Sequence, residues 1–390
     1  MPAYILKLFD RDLVRFEARN TGDLPEITDY RIEKDALPLL PMGMEASASG
    51  LARWLRRRKI PRNRAYVHSL LARLGLGVNS TMAIINISRA LSLNDSYWIV
   101  PEGFGKTFAE CNLYEHRFSK VLAAIAFTGY GSRQRSSLVS SPELTTNGML
   151  RKCWRRQNGR VFLYKGGTEG ASNTGNEPYS EFYAWQIAQV LGVHAIPYTL
   201  TRWKGTLCSR CELFTSKDIS FVPVGQVVQS GGMQAVLDYY GTLGQNFRDA
   251  LEDMIVFDAI ILNTDRHLGN FGFLVDAKSN TLLGPAPLFD HGNSLCNFAA
   301  AADIESREAF LSYANAQYPA CYANFLGEAR TVLRERHKKA LRKLSNFRFR
   351  RHPRYNLPQK RLQLLEGQIQ ERAAFLLSQK DAAPCELKFW

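Results

Sequence analysis

The feature that most restricts the fold of this chain is the join between an apolar helix and a polar loop. Residues 247–262 place Leu251, Ile255 and Leu262 on one helical face. They run straight into Asn263-Thr-Asp-Arg-His-Leu-Gly-Asn-Phe-Gly272. The helix is a rigid element, so it would present the polar groups of the loop in a defined place. Asp290-His-Gly follows eighteen residues beyond the loop, after a stretch at 281–288 that reads as a strand. Residues 271–275 would pair with that strand as a small hairpin.

Upstream the pattern changes to strands. Residues 160–165, Arg-Val-Phe-Leu-Tyr-Lys, lie between Asn158-Gly159 and Gly166-Gly167. The Asn-Gly pair predicts a hairpin turn back to residues 149–154. A polar loop at 168–176 leads into a helix at 179–191, with Phe182, Trp185, Ile187, Val190 and Leu191 at compatible spacing and Gly192 as its stop. Residues 197–203 and 206–214 read as a second hairpin around Lys204-Gly205. Beyond Gly231 the chain is mainly helical and closes with long patterns at 325–344 and 357–377.

The first 135 residues look like a separate unit. Leu51, Trp54, Leu55 and then Val67, Leu70, Leu71, Leu74 have helical spacing, interrupted at Pro61. Arg56-Arg57-Arg58-Lys59 at that break reads as a solvated helix end, and residues 91–100 form a partly apolar run ending at Pro101. Residues 129–146 are rich in Ser, Gly and Thr, a linker composition. No internal repeat is present. The expected architecture is α+β: an N-terminal module at 1–135, a strand-rich lobe at 136–218 and a helical lobe at 219–390.

At 390 residues the chain can bury two or three cores. Its 45% hydrophobic and 22% charged fractions are those of a soluble globular protein. Seven scattered cysteines (111, 153, 208, 211, 296, 321, 385) argue against a disulfide framework. No apolar run reaches the length of a membrane span, and charge comes too early for a signal-peptide core. A cytoplasmic location is the default expectation, with secretion by a signal-less route as its alternative. The net charge of +14 is concentrated between Arg330 and Arg361, where thirteen Lys/Arg face one acid, Glu335. A solvated helical surface explains such a run. An anionic partner, either nucleic acid, an acidic protein or a membrane surface, is the competing reading, because Arg348, Arg350, Arg351 and Arg354 interleave with Phe347, Phe349 and Tyr355.

The loop carries the chemistry. Asp265 can accept a hydroxyl proton, while Asn270, five residues on, and Asp290 can hold Mg²⁺ against the phosphates of a nucleoside triphosphate. The bland reading of Asn270 is a turn former. Lys165, at the end of its strand and facing two glycines, can pair with phosphates if an acid holds its amine. Glu181, sixteen residues on, fits that role and Glu177 is the weaker candidate. Arg266 would pair with a phosphate or a phosphorylated residue, and His267 would pack the loop. Asp258 sits in an apolar helix and needs a partner, so it reads as a brace acting through Arg266. The backbone of Glu212-Leu-Phe214 could bind adenine. Cys208-Ser-Arg-Cys211 has no second pair at zinc spacing and reads as packing.

With those residues in place, the chain resembles the HipA-like serine/threonine kinases, especially the CtkA-like branch. The matching stretches are Leu91-Ser-Leu-Asn-Asp-Ser-Tyr-Trp-Ile, Ser141-Pro-Glu-Leu-Thr-Thr-Asn-Gly-Met-Leu, Cys211-Glu-Leu-Phe-Thr-Ser, the Asn263–Gly272 loop and Phe289-Asp-His-Gly, spanning residues 91–292. The resemblance implies a two-lobed kinase-like fold that binds ATP and Mg²⁺ and phosphorylates Ser/Thr, with Asp265 as base, Asn270 and Asp290 as metal ligands and Lys165 as phosphate contact. It also implies autophosphorylation in the phosphate-binding loop, for which Ser140, Ser141, Thr145 and Thr146 are candidates. Two departures stand out. There is no Gly-x-Gly-x-x-Gly, so the loop over the phosphates has another shape within residues 140–150. Residues 1–90 carry no clear antitoxin-binding signature. The Asp-Arg-His-x-x-Asn pattern is also similar to phosphoinositide kinases, which makes a lipid acceptor one alternative and a catalytically silent nucleotide-binding module the other. In the lipid case the basic 330–361 segment would face a membrane surface.

Overall fold

The computed structural model describes residues 1–131, 140–170 and 175–380. Part of the expected linker at 129–146, part of the loop at 168–176 and Cys385 lie outside the described residues. By packing, the chain divides into two compact units, and neither is one continuous segment. The first holds residues 1–166, 203–227 and 272–286, the second residues 167–202, 228–271 and 287–390. This differs from the linear division at 135 and 218, and strand pairing is the reason.

In the first unit, strands β1 (Ala3–Leu8), β2 (Arg11–Arg19), β3 (Glu26–Ile32) and β4 (Tyr97–Pro101) form an antiparallel sheet in the order β3-β2-β1-β4. The sequence reading did not anticipate β1 to β3. Their signal was present in β2, where Val14, Phe16 and Ala18 are buried and alternate with Arg15 and Glu17. These side chains pack with Leu51, Trp54 and Leu55 of the Ala48–Arg57 helix, whose first turn is capped by Ser47.

The basic run at the end of that helix is only half a solvated helix end, with Arg56 and Arg57 exposed. Arg58 and Lys59 are buried. Arg58 donates to the carbonyls of Ala90 and Tyr97 and pairs with Asp95 at 2.6 Å, while Lys59 pairs with Asp23 at 2.6 Å and donates to the Val78 carbonyl. Buried cations need such partners, and the local sequence around residue 58 does not show them.

Strands β5 (Lys152–Gln157) and β6 (Arg160–Gly166) form the expected hairpin, with Gln157 opposite Arg160. Asn158 and Gly159 have φ of 50° and 78°, the left-handed pair that a two-residue hairpin turn requires. β8 (Thr206–Glu212) joins the other edge of β6. It follows β7 (Tyr198–Trp203) through a second turn of the same kind at Lys204-Gly205. Cys208 and Cys211 lie three residues apart in β8 and therefore on opposite faces, which rules out a shared metal ion.

The third sheet explains the division of the chain. β10 (Gly272–Asp276) lies between β9 (Ile219–Pro223) and β11 (Leu282–Pro285). The hairpin behind the loop therefore belongs to the first unit, and it is tied to the N-terminal residues. The Phe221 N–H donates to the Asn94 carbonyl at 2.7 Å, and the Tyr97 hydroxyl donates to Asn280 Oδ1 at 3.1 Å.

The second unit is helical. Its main elements are Glu177–Leu191, Gly232–Thr242, Gln245–Ile261 and Gln359–Leu377. The long helix expected at 325–344 is instead Phe325–Val332 and Glu335–Leu341, followed by a short 3-10 turn. It breaks at Arg334, which is extended (φ −128°, ψ 164°) and whose N–H donates to His337 Nδ1. The break lets Arg334 and Arg336 turn onto the Gln245–Ile261 helix. Both pair with Glu252, and Arg336 also pairs with Asp249 and Asp253.

Some further residues of the basic segment find partners within the unit, while Arg350, Arg351 and Arg354 are exposed, as expected of a solvated surface. Arg342 pairs with Glu335, Arg348 reaches Glu366, and buried Arg361 donates to the carbonyls of Cys296, Asn297 and Ala299. Phe347 and Phe349 are buried, with Phe349 packed on Tyr183 at 4.7 Å. They do not present a face on which bases could stack.

Glu252 is only 2% exposed, and Arg334, Arg336 and Arg248 one turn earlier on its own helix outweigh burial to hold its carboxyl below the ordinary range. A depressed carboxyl stabilises the fold above its unfolded-state pKa, and that contribution fades as pH falls through the folded value. Glu252→Gln should cost about 1–3 kcal/mol in urea unfolding at pH 7, less than a fully buried pair because the arginines reach solvent. The difference from the parent chain should shrink as pH falls through the depressed folded value.

Candidate active site

The Gln245–Ile261 helix stops because Leu262 turns left-handed, at φ 55°, and donates its N–H to the Asp258 carbonyl. Its last carbonyls are then taken up by other segments. Arg372 donates to Ala259 and the Leu295 N–H to Ile261, at 2.5 and 2.7 Å. Leucine in this conformation costs about 1–2 kcal/mol, which these caps and the surrounding core offset.

Arg266 is fully buried, and all of its guanidinium nitrogens are engaged. Nε and Nη2 donate to the two Asp258 oxygens at 2.9 and 3.0 Å. Nη1 donates to the Phe289 carbonyl at 2.7 Å and the Asn270 carbonyl at 3.3 Å, and Nη2 meets His291 Nδ1 at 3.1 Å. Burial alone would lower the guanidinium pKa, and the paired Asp258 carboxylate more than restores it. The brace expected between Asp258 and Arg266 is present. The expectation that Arg266 binds phosphate is overturned, since its donors point inward to these partners.

One cation thus ties the helix, the loop and the segment before Asp290 together. Within the loop, the Asp265 N–H donates to Asn263 Oδ1 at 3.1 Å and its carbonyl accepts from Asn270 Nδ2 at 3.2 Å. His267 Nδ1 accepts the Gly269 N–H, a hydrogen bond within the loop, and the residue is exposed rather than packed. Asp290 adopts φ 59° and donates its N–H to the Tyr198 hydroxyl at 3.2 Å. Leu288, expected to end a strand, instead makes an isolated parallel bridge to Ala195, since β11 stops at Pro285.

Two residues here were not singled out by sequence. Asn293 Nδ2 donates to Asp265 Oδ2 at 3.1 Å, and its carbonyl accepts from both the Thr264 N–H and hydroxyl. Tyr198 has been described above. An asparagine three residues after an aspartate looks like any turn former, so the sequence offered no signal for Asn293.

Glu181 is fully buried, and its Oε2 accepts the His291 N–H at 2.7 Å, which fixes the backbone next to Asp290. Glu177 is also buried and accepts the Thr168 N–H at 3.2 Å. Gly167 lies so close to it that a Cβ there would come within 2.8 Å of Glu177 Oε2.

The remaining candidates lie in the first unit. Lys165 is 6% exposed at the end of β6, opposite Lys152 on one side and Ser209 on the other. Glu212 pairs with Arg160, and the Leu213 N–H already donates to the Val161 carbonyl at 2.9 Å. Phe214 packs edge-on against Phe221 at 5.5 Å. Ser141 and Thr145 are buried, Ser141 donating to Glu143 and Thr145 to the Leu91 carbonyl. Ser140 and Thr146 are partly buried and donate to the Ser88 and Pro142 carbonyls.

Breaking the brace should be costly. Asp258→Asn or Arg266→Met leaves one buried charge without its partner and should lose about 3–5 kcal/mol in urea unfolding. Arg266→Lys should rescue little of that loss, because an ammonium cannot reproduce the fork that reaches Asp258 and two carbonyls.

No family model and no curated protein matches this sequence. Among solved structures, the chain is similar to HipA of Shewanella oneidensis MR-1, determined as a toxin–antitoxin system with HipB and its operator DNA. That likeness has a TM-score of 0.53 at 15% identity, over 96% of this chain and 98% of that one. The proinflammatory kinase CtkA of Helicobacter pylori matches with a TM-score of 0.46 at 19% identity, over 58% of this chain and 93% of that one. The HipA comparison covers nearly the whole length of both chains, and this chain shares the fold of that HipA.

Proposed function

We propose that this chain is an ATP- and Mg²⁺-dependent serine/threonine protein kinase of the HipA type. The observation that carries the reading is the clustering of its polar groups by one cation. Arg266 donates to the carbonyls of Asn270 and Phe289, so the loop bearing Asp265 and Asn270 is joined to the segment bearing Asp290. Asp265 accepts the proton of the acceptor hydroxyl as that oxygen attacks the terminal phosphorus, and the bond from that phosphorus to the bridging oxygen breaks to release ADP.

The donor set fits Mg²⁺. Asn270 spends its amide nitrogen on the Asp265 carbonyl, which leaves Oδ1 for a cation, and Asp290 adds a carboxylate. Among the described residues no three His, Cys, Asp or Glu side chains gather around a metal-sized space. Mg²⁺ takes few protein ligands, with phosphate oxygens and water supplying the rest. When bound, Mg²⁺ neutralises charge on the β- and γ-phosphates. Lys165 is assigned as the phosphate contact, and the backbone at Glu212 and Phe214 as the adenine contact. Of the autophosphorylation candidates, Ser141 and Thr145 can be reached only if the Pro142–Leu144 turn leaves its packed position, because both are buried.

Purified protein with Mg-ATP should incorporate phosphate into itself or a generic protein substrate. Asp265→Ala should lower the rate by about 10²–10⁴-fold, the range for losing a positioned general base. Lys165→Ala should raise the KM for ATP, and mass spectrometry of the product identifies the modified residue. Phosphate found only in a phosphoinositide panel would replace the protein-kinase reading with the lipid one. Nucleotide binding without any transfer would leave a silent nucleotide-binding module.

A further inference from the structure

Asp265 can serve as a base only if its carboxylate is aimed, and the loop's own backbone does not do this. The Asn263 and Asn270 side chains both act on the main chain of Asp265, one on its N–H and the other on its carbonyl. The side chain is held from elsewhere in sequence, by Asn293 Nδ2 on Oδ2 at 3.1 Å.

The direction of that amide is set by its surroundings. Asn297 Nδ2 approaches Asn293 Oδ1 at 3.4 Å, so the oxygen end faces a donor and the nitrogen end faces the carboxylate. Asn293 is itself anchored through its carbonyl, which accepts from the Thr264 N–H at 2.9 Å and hydroxyl at 3.1 Å. Asn297 is buried, and its own carbonyl accepts from Asn176 and from Arg361. A chain of amides thus runs from the Arg361 anchor to one oxygen of Asp265.

We propose that Asn293 is the positioning residue for Asp265. It occupies Oδ2, fixes the carboxylate plane and leaves Oδ1 for the acceptor hydroxyl. The inference rests on the kinase reading above and assigns this chain a determinant of turnover outside the Asn263–Gly272 loop. Asn293 also lies three residues after Asp290, so the segment that carries one metal ligand orients the base as well. Alignment of the base and supply of the metal ligand are thereby coupled through a single short turn.

The test is the isosteric change Asn293→Asp, with Asn293→Ala beside it. Asn293→Asp keeps shape and volume but replaces the donor by an acceptor facing a carboxylate. Both variants should lose at least tenfold in kcat, with the KM for ATP and the affinity for Mg-ADP changed less than twofold. Asn293→Ser, which restores a small donor, should recover part of the kcat lost in Asn293→Ala. A purely structural role would lower the melting temperature and scatter KM and kcat together, without recovery by serine. An active parent chain whose Asn293→Asp variant keeps its kcat would overturn this inference and leave the kinase reading intact. Absence of transfer by the parent chain itself would overturn the kinase reading instead.

Discussion

The site depends on one buried ion pair. Asp258 and Arg266 are fully buried and eight residues apart, one inside the last turns of a helix and the other in the loop that follows. Moving both charges out of water costs several kcal/mol per ion, so the pair alone is weak as a stabiliser. Its value is geometric. The planar guanidinium binds both carboxylate oxygens in a fixed plane, and the donors left over can reach only the carbonyls of Phe289 and Asn270 and the ring of His291. An apolar pair of equal volume would fill the space without specifying where the loop and the Asp290 segment meet.

The same economy governs the rest of the second unit's charge. In and beyond the run of thirteen basic residues, several cations are drawn onto partners within the unit, while others, among them Arg350, Arg351 and Arg354, stay exposed. Arg334 and Arg336 close on the acids of the Gln245–Ile261 helix, while Arg361 and Arg372 serve as donors to carbonyls at segment ends. Burial pulls the Arg361 guanidinium down and takes that of Arg372 to about 10, a sign of how far both are removed from water. Arg372 takes a carbonyl left open at the end of the Gln245–Ile261 helix, at Ala259, and Arg361 takes those of the turn at residues 296–299, so both closures bear on the segments that hold Asp265 and Asn293.

How far the sequence could be read followed from the range of the interactions involved. The Asn158-Gly159 turn, the Glu177–Leu191 helix ending at Gly192 and the Gln245–Ile261 helix were legible because each is set by residues within one or two turns of itself. The brace between Asp258 and its arginine was legible as well, because an acid in an apolar helix needs a partner close by. Strands β1 to β3 were missed although β2 carries a two-residue alternation, since its run of charged side chains masked the pattern. The burial of Arg58 and Lys59 was illegible in principle, because their partners Asp95 and Asp23 lie more than thirty residues away.

The sequence by itself determined which elements form and which functional groups they carry, because propensity, turn chemistry and side-chain periodicity act over a few residues. The tertiary structure alone decided where those groups point. Whether Arg266 faces a phosphate or a carboxylate, whether Phe349 faces a base or Tyr183, and which side chain orients Asp265 all depend on contacts between distant segments. Close packing and the requirement that every buried polar group find a partner select one answer in each case. For the apolar helix and its polar loop, local physics supplied the helix, the stop and the aspartate, and the buried guanidinium decided the arrangement in which that aspartate is held.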